Sequence, residues 1–154
     1  MRKFFTILLL MSMAVLGYFG YAHYSGAAVP VWGLPLGGEK ANVRSRVSIF
    51  FESLRFKNTQ ALKDFFAPDI QPQEIAHFLL QTFNTPVRDI DLQSAKIKDI
   101  ELDSSKKRAR VRIELSGQNL DDQKSLDISK IIFLYSEGES NKWLIDTADP
   151  ASHP

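Results

Sequence analysis

The sequence predicts an α+β domain: three helices packed on a bent, four-stranded antiparallel sheet. Three observations predict it. Val43, Val47, Phe50, Phe51 and Leu54 recur at the spacing of one helical face, with Arg44, Arg46, Ser48, Glu52 and Arg55 on the other. Ala109, Val111, Ile113 and Leu115 alternate strictly with Arg108, Arg110, Arg112 and Glu114, the pattern of a strand with one buried and one wet face. Pro, Gly, Asn and Asp punctuate the stretches between such segments.

The chain divides at about residue 40. Arg2 and Lys3 precede an uncharged apolar run, Phe4 to Ala22, whose 19 residues span about 28 Å as a helix. Residues 1–24 are therefore expected to be a signal-anchor or a signal peptide. The run is longer than an ordinary signal core, which favours an uncleaved transmembrane anchor. Positive charge before it, with none after it until Lys40, orients the N-terminus inward and the domain outward. Small residues at Gly20/Ala22 and Gly26/Ala28 would serve cleavage instead. Either way the expected location is a bacterial inner membrane with the domain in the periplasm, or the periplasm itself. Residues 25–40, with two Pro and four Gly up to Glu39, read as a linker.

The domain is expected over 41–149, with 150–154 as a disordered tail. Its first helix runs from Val43 to Lys57. Asn58 caps a short second helix, Gln60 to Phe66, with Leu62, Phe65 and Phe66 inward and Pro68 behind it. Pro72 suits the first turn of a third helix, whose stripe is Ile75, Phe78, Leu79 and Phe83 and which Asn84 and Pro86 end. The first strand, Ile90 to Leu102, changes the parity of its apolar positions at 92→95 and at 97→100, so it is expected to be bulged or bent. Asp103 to Lys106 turns into the second strand, and Gly117 to Asp122 reads as a loop. Leu126 to Tyr135 follows, apolar on both sides from Ile131, hence covered on both faces there. Glu137 to Asn141 turns the chain into Trp143, Leu144 and Ile145.

Composition excludes several functions. With no Cys, disulfides, thiolate metal sites, a Cys nucleophile and a lipid-modified N-terminal Cys are all ruled out. His23, His77 and His153 lie far apart, so no metal site and no cofactor is expected. Beyond residue 40 there are 16 basic and 17 acidic residues, which argues against nucleic acid as a partner. Lys106, Lys107, Arg108, Arg110 and Arg112 form a basic strip, read as a solvated face balanced by Asp99 and Glu101, or else as a contact for anionic headgroups or an acidic partner. Asp89/Asp91 and Asp121/Asp122 lie beside loops and read as solvated. No phosphate loop, G-x-S-x-G or H-E-x-x-H is present.

Four residues stand out as pocket candidates: His77, Tyr135, Trp143 and Asp146. His77 sits one step off the third helix's stripe, an ordinary surface position unless a pocket opens there. Trp143 suits the core. Asp146 follows the last strand, where Asp commonly serves as a turn residue, and an interior Asp146 would be the best hint of catalysis.

The order of elements resembles the nuclear transport factor 2-like superfamily, and within it the small exported bacterial domains of the lumazine-binding-like or DUF type. The matching residues are Phe50-Phe51-Glu52-Ser53-Leu54, Asn58-Thr59-Gln60-Ala61-Leu62, Ala109-Arg110-Val111-Arg112-Ile113 and Asn141-Lys142-Trp143-Leu144-Ile145-Asp146. The resemblance implies a cone-like, strongly bent sheet crossed by the first helix. The implied function is a non-catalytic binding or assembly module of the cell envelope, membrane-anchored, taking an envelope protein partner or a small apolar ligand. The alternatives are a small isomerase- or cyclase-like pocket enzyme and an oligomeric scaffold subunit. An enclosed pocket in which His77 meets a carboxylate would favour the enzyme.

Overall fold

The computed structural model describes residues 2–25, 38–137 and 142–147, with side chains described over 6–21 of the first segment. Four helices precede four strands: α1 (Arg2–Ser25), α2 (Gly38–Arg55), α3 (Thr59–Leu62), α4 (Pro72–Phe83), β1 (Ile90–Leu102), β2 (Arg108–Asn119), β3 (Ser125–Glu137) and β4 (Lys142–Asp146). The sheet is an antiparallel meander in the order β1-β2-β3-β4.

α1 is 24 residues long, and its large apolar side chains from Ile7 to Tyr21 are exposed except Phe19, which is half-buried. Among the described residues no helix is long and apolar enough to cross a membrane. The run Phe4–Ala22 extends past the described side chains at both ends.

α2 buries the five residues of the expected stripe, each at most 3 % exposed. It starts earlier than expected: Gly38 to Lys40, read as linker, are helical. Glu39 lies in the first turn, where a carboxylate suits the helix dipole, and it accepts hydrogen bonds from Asn42 Nδ2 and the Trp143 indole. The rest of the expected linker, 26–37, lies outside the described residues.

α2 ends in a Schellman motif. The Asn58 N–H donates to Ser53 O (2.9 Å), the Lys57 N–H donates to Leu54 O (3.0 Å), and Lys57 takes the left-handed position at φ 53°. Asn58 then caps α3, accepting from the Ala61 N–H at 3.2 Å. The expected second helix is one α turn followed by a 3-10 turn at Lys63–Phe65, with Leu62, Phe65 and Phe66 buried as expected. α4 begins at Pro72 and stops at Asn84, whose φ of 56° ends the helix. Ile75, Leu79 and Phe83 are buried, while Phe78 is half-buried with its ring 5.8 Å from that of Phe66. Phe56 is the one Phe of this region that faces water, 70 % exposed.

β1 carries register shifts between Leu92 and Ser94 and between Ile97 and Asp99, inside both intervals where the apolar parity changes. The sheet nevertheless stays open and is not strongly curled. The pairing of β2 with β3 runs from Arg108↔Tyr135 to Gln118↔Ser125 without a shift, so the bends are confined to one edge strand. β2 continues to Asn119 through the stretch expected as a loop. Gly117 allows this: a Cβ there would lie 2.3 Å from the Asp91 carbonyl oxygen. The expected turn at 137–141, but for Glu137, and the expected tail at 150–154 lie outside the described residues.

The inward face of the sheet presents Ile100, Val111, Ile113, Leu115, Ile132, Leu134 and Ile145 to the helices. Phe50 is the hub beneath it, with ring centroids 5.1, 5.4 and 5.9 Å from Phe51, Phe65 and Phe66, all edge-on. Phe50→Ala should destabilise the fold by about 3–5 kcal/mol, and Gly117→Ala by about 1–3 kcal/mol through the clash with β1. Gly20→Ala meets nothing within 4 Å and should leave the urea midpoint unchanged. Denaturant titration of the three variants checks all of this.

Candidate functional site

The four candidates do not converge. Trp143 is in the core, 2 % exposed, with its indole N–H donating to Glu39 Oε2 at 3.2 Å. Its carbonyl accepts from Arg46 Nε at 3.0 Å, and Arg46 also donates to the Asp64 carbonyl and lies 4.1 Å over the Phe65 ring. Burial pulls the Arg46 guanidinium below its usual value, and the Asp64 carboxylate opposes that. Trp143 thus joins α2 to β4 and lines none of the four clefts described below. His77 is exposed on α4 and lines none of the four clefts described below.

Tyr135 and Asp146 do come together, on the outer face of the sheet. Register explains why. With Ala109, Val111 and Ile113 turned inward, the alternate positions of every strand turn outward. One outward row crosses all four strands: Glu101 of β1, Arg110 of β2, Phe133 of β3 and Asp146 of β4. The next row is Arg108, Tyr135 and Leu144. A cleft of about 280 Å³ opens along the first row, walled by Glu101, Asp103, Arg108 and Arg110, with Phe133 and Asp146 at its other side.

Glu101 Oε2 accepts from Arg110 Nη1 at 3.1 Å, an exposed ion pair contributing about 0–1 kcal/mol. Phe133 and Ile131 are half-buried, so the outer face is only partly covered where full cover was expected, although Leu144 is fully buried. Asp103 holds the β1–β2 turn, Oδ1 accepting from the Lys107 N–H at 2.9 Å and the Arg108 N–H at 3.0 Å. The Ser105 hydroxyl and then these N–H groups hold its carboxyl below the usual range.

Clefts of about 340, 350 and 410 Å³ lie elsewhere on the surface: between α4 and β3, between α2 and β1, and on the outer face around Glu114 and Ser129. Each is lined in part by exposed residues. Among the described residues no group of three or more His, Asp or Glu could hold a metal ion.

This arrangement suits binding. It offers an aromatic floor, two guanidinium groups, carboxylates and a phenol on one rigid face. The cross-strand row was missed because Phe133 reads as core in sequence and Glu101 and Arg110 read as ordinary solvated charges. The strict alternation of Arg108, Arg110 and Arg112 was the signal that one face of β2 looks outward.

No family model matches the chain, and no curated protein matches it.

Burial, and then the carboxylates of Glu137, Asp146 and Asp69, push the Tyr135 phenol above its ordinary value. A raised folded value means the neutral phenol favours the fold. That contribution is present below the unfolded value and is lost as pH rises through the folded one. Spectroscopic titration should find a phenol ionising above the ordinary tyrosine value that is lost in Tyr135→Phe, and Asp146→Asn should move it down. An unmoved titration in Asp146→Asn would separate the two residues.

Proposed function

We propose that the chain is a membrane-anchored, non-catalytic binding module of a bacterial cell envelope, exported so that its outer sheet face meets an envelope protein. The observation that carries this reading is α1. It is helical from Arg2 to Ser25, and most of its apolar side chains, such as Leu10 at 61 % and Leu16 at 70 % exposed, are left uncovered by the described residues. An apolar surface of this kind calls for lipid or a partner. In sequence, the uncharged run Phe4–Ala22 is bracketed by Arg2 and Lys3 on one side only, the asymmetry of an inward-facing N-terminus.

The cleft along Glu101, Arg110, Phe133 and Asp146 supports the binding half of the reading. The likeness to the nuclear transport factor 2-like superfamily belongs to the same proposal. It rests on the helix order, the meander and the doubly bulged β1, without the cone. A second reading, a scaffold subunit that packs sheet against sheet, draws on half-buried Ile131, Phe133 and Tyr135 on the outer face. The ion pairs Glu101–Arg110 and Lys98–Glu114 on that face interrupt the apolar surface such packing needs.

The full chain expressed in a bacterial host should stay with membranes through an alkaline carbonate wash and keep Met1 as its N-terminus. Protease added to spheroplasts should digest the domain. Replacing Leu9 and Leu10 by Arg, at about 2.5–3.5 kcal/mol each for a charge at the centre of a span, should release it. Wild-type protein found in the wash, or protected from protease in intact spheroplasts, overturns the reading.

A further inference from the structure

We propose that the β1–β2 turn is the domain's second membrane contact: Lys106, Lys107 and Arg108 rest on the anionic headgroups of the bilayer that holds α1, so that the sheet stands on end. The proposal deepens the anchored-module reading and rests on it.

The turn is built to display these side chains. The Lys106 N–H donates to the Asp103 carbonyl at 3.0 Å, and the Asp103 N–H donates to the Arg108 carbonyl at 3.0 Å. From β3, the Ser136 N–H donates to the Lys107 carbonyl at 2.8 Å. Asp103, the one carboxylate of the turn, spends Oδ1 on the Lys107 and Arg108 N–H groups and Oδ2 on the Ser105 hydroxyl. No ion pair among the described residues involves Lys106, Lys107 or Arg108, and all three are exposed. Lys106 stands at φ 56°, a left-handed position that Gly or Asn fills more easily. A cation there costs the turn local stability.

The position of the turn is a second, independent observation. Ser136, which holds Lys107, pairs with Trp143 of β4, and the Trp143 indole donates to Glu39 in the first turn of α2. The basic turn therefore lies at the end of the sheet where the chain enters α2. Twelve residues, 26–37, separate the end of α1 from that entry, a reach of at most about 43 Å. An anchored α1 thus tethers the domain by this end.

β2 is polarised along its length. Arg108, Arg110 and Arg112 lie in its first half and Glu114 in its second, and the β2–β3 turn beyond it carries Asp121 and Asp122 with Lys124. Charges within about 10 Å of an anionic surface feel it, and those further away are screened. Such charge adds little to the hold of a membrane-spanning helix, but it decides which end of the domain faces the bilayer. An acidic protein segment offers the same charge, yet nothing ties it to this end of the sheet, as the tether does for the bilayer. With the turn on headgroups, the cleft along Glu101, Arg110, Phe133 and Asp146 opens sideways, within reach of an envelope partner.

The chain has no Cys, so Ser104→Cys gives a single site for a fluorophore in the turn. Leu120→Cys, at a position 51 % exposed in the β2–β3 turn, gives the control. The full chain is reconstituted into phosphatidylcholine vesicles with and without phosphatidylglycerol, each carrying a headgroup quencher. The turn label should be quenched only where phosphatidylglycerol is present, and the control label in neither. Salt at about 1 M, where the screening length is about 3 Å, should abolish the quenching. Removing one cation, in Lys107→Gln or in Lys106→Gly, should lower the ratio of attached to detached domains about fivefold. Lys106→Gly also suits the left-handed position, so its urea midpoint should not fall and the loss is one of charge. Lys107→Arg should keep the quenching.

Equal behaviour of the turn label in both vesicles, or quenching that survives the salt, overturns the proposal. Equal quenching of the two labels also overturns it, since the domain would then lie flat. A turn label silent on phosphatidylglycerol but responsive to soluble polyglutamate overturns it in favour of an acidic protein. Flotation with pure phosphatidylcholine vesicles reads α1 alone. Failure there falls on the anchor, while the turn label against added phosphatidylglycerol vesicles still decides the turn.

Discussion

Burial of the α2 stripe against the inward face of the sheet is the constraint to which every other element answers. Val43, Val47, Phe50, Phe51 and Leu54 have almost no contact with water, and the sheet positions they meet are as dry. Each such side chain contributes about 1.5–3 kcal/mol by leaving water, so a slip of α2 along the sheet would forfeit several contributions at once. Around this seam the short elements fall into place. Phe65 and Phe66 reach the Phe50 ring only because α2 stops at a Schellman turn and α3 starts at once from the Asn58 cap. The seam is apolar and so specifies area better than orientation. Polar contacts add the orientation: Arg46 reaches the Trp143 carbonyl, and Trp143 reaches Glu39, two turns back on the same helix.

The same constraint sets the composition of the outer face. Once the row of Val111, Ile113, Ile132, Leu134 and Ile145 is committed to the helices, the other row must look outward, whatever its chemistry. Charges of β1 and β2 and rings of β3 are thereby brought side by side, with Asp146 completing the row from β4. The brevity of β4 matters as much as its content. It stops at Asp146, opposite Phe133, and among the described residues Ser125 to Ile132 pair with β2 alone. The outer cleft and the α4–β3 groove share Phe133 and Asp146, so the end of β4 is where the two surfaces meet.

Much of this was legible along the chain. The helical stripe, the alternation of β2, Pro72 at a helix start and Asn84 at a helix end are short-range signals, and each appears where it was read. Even the β1 bulges were legible, because a change of apolar parity is a local record of an extra residue in the ladder. The misses have non-local causes. α2 begins at Gly38 because Glu39 finds Trp143 more than a hundred residues later. β2 runs on through Gly117 because β1 comes within reach of a missing side chain. The expected curl failed because a bend in one edge strand does not oblige an unshifted β2–β3 pair to follow.

The amino-acid order by itself determined the α+β class, the strand order of the meander, the inward residues of each element and the apolar, charge-flanked N-terminal run. These depend on periodicity and turn chemistry, which act over a few residues. Only the tertiary structure decided which outward residues share a row, that Tyr135 and Asp146 meet while His77 and Trp143 stand apart, and that among the described residues β4 pairs with less than half of β3. Those facts depend on register and on the relative lengths of strands distant in sequence, and no local pattern encodes either.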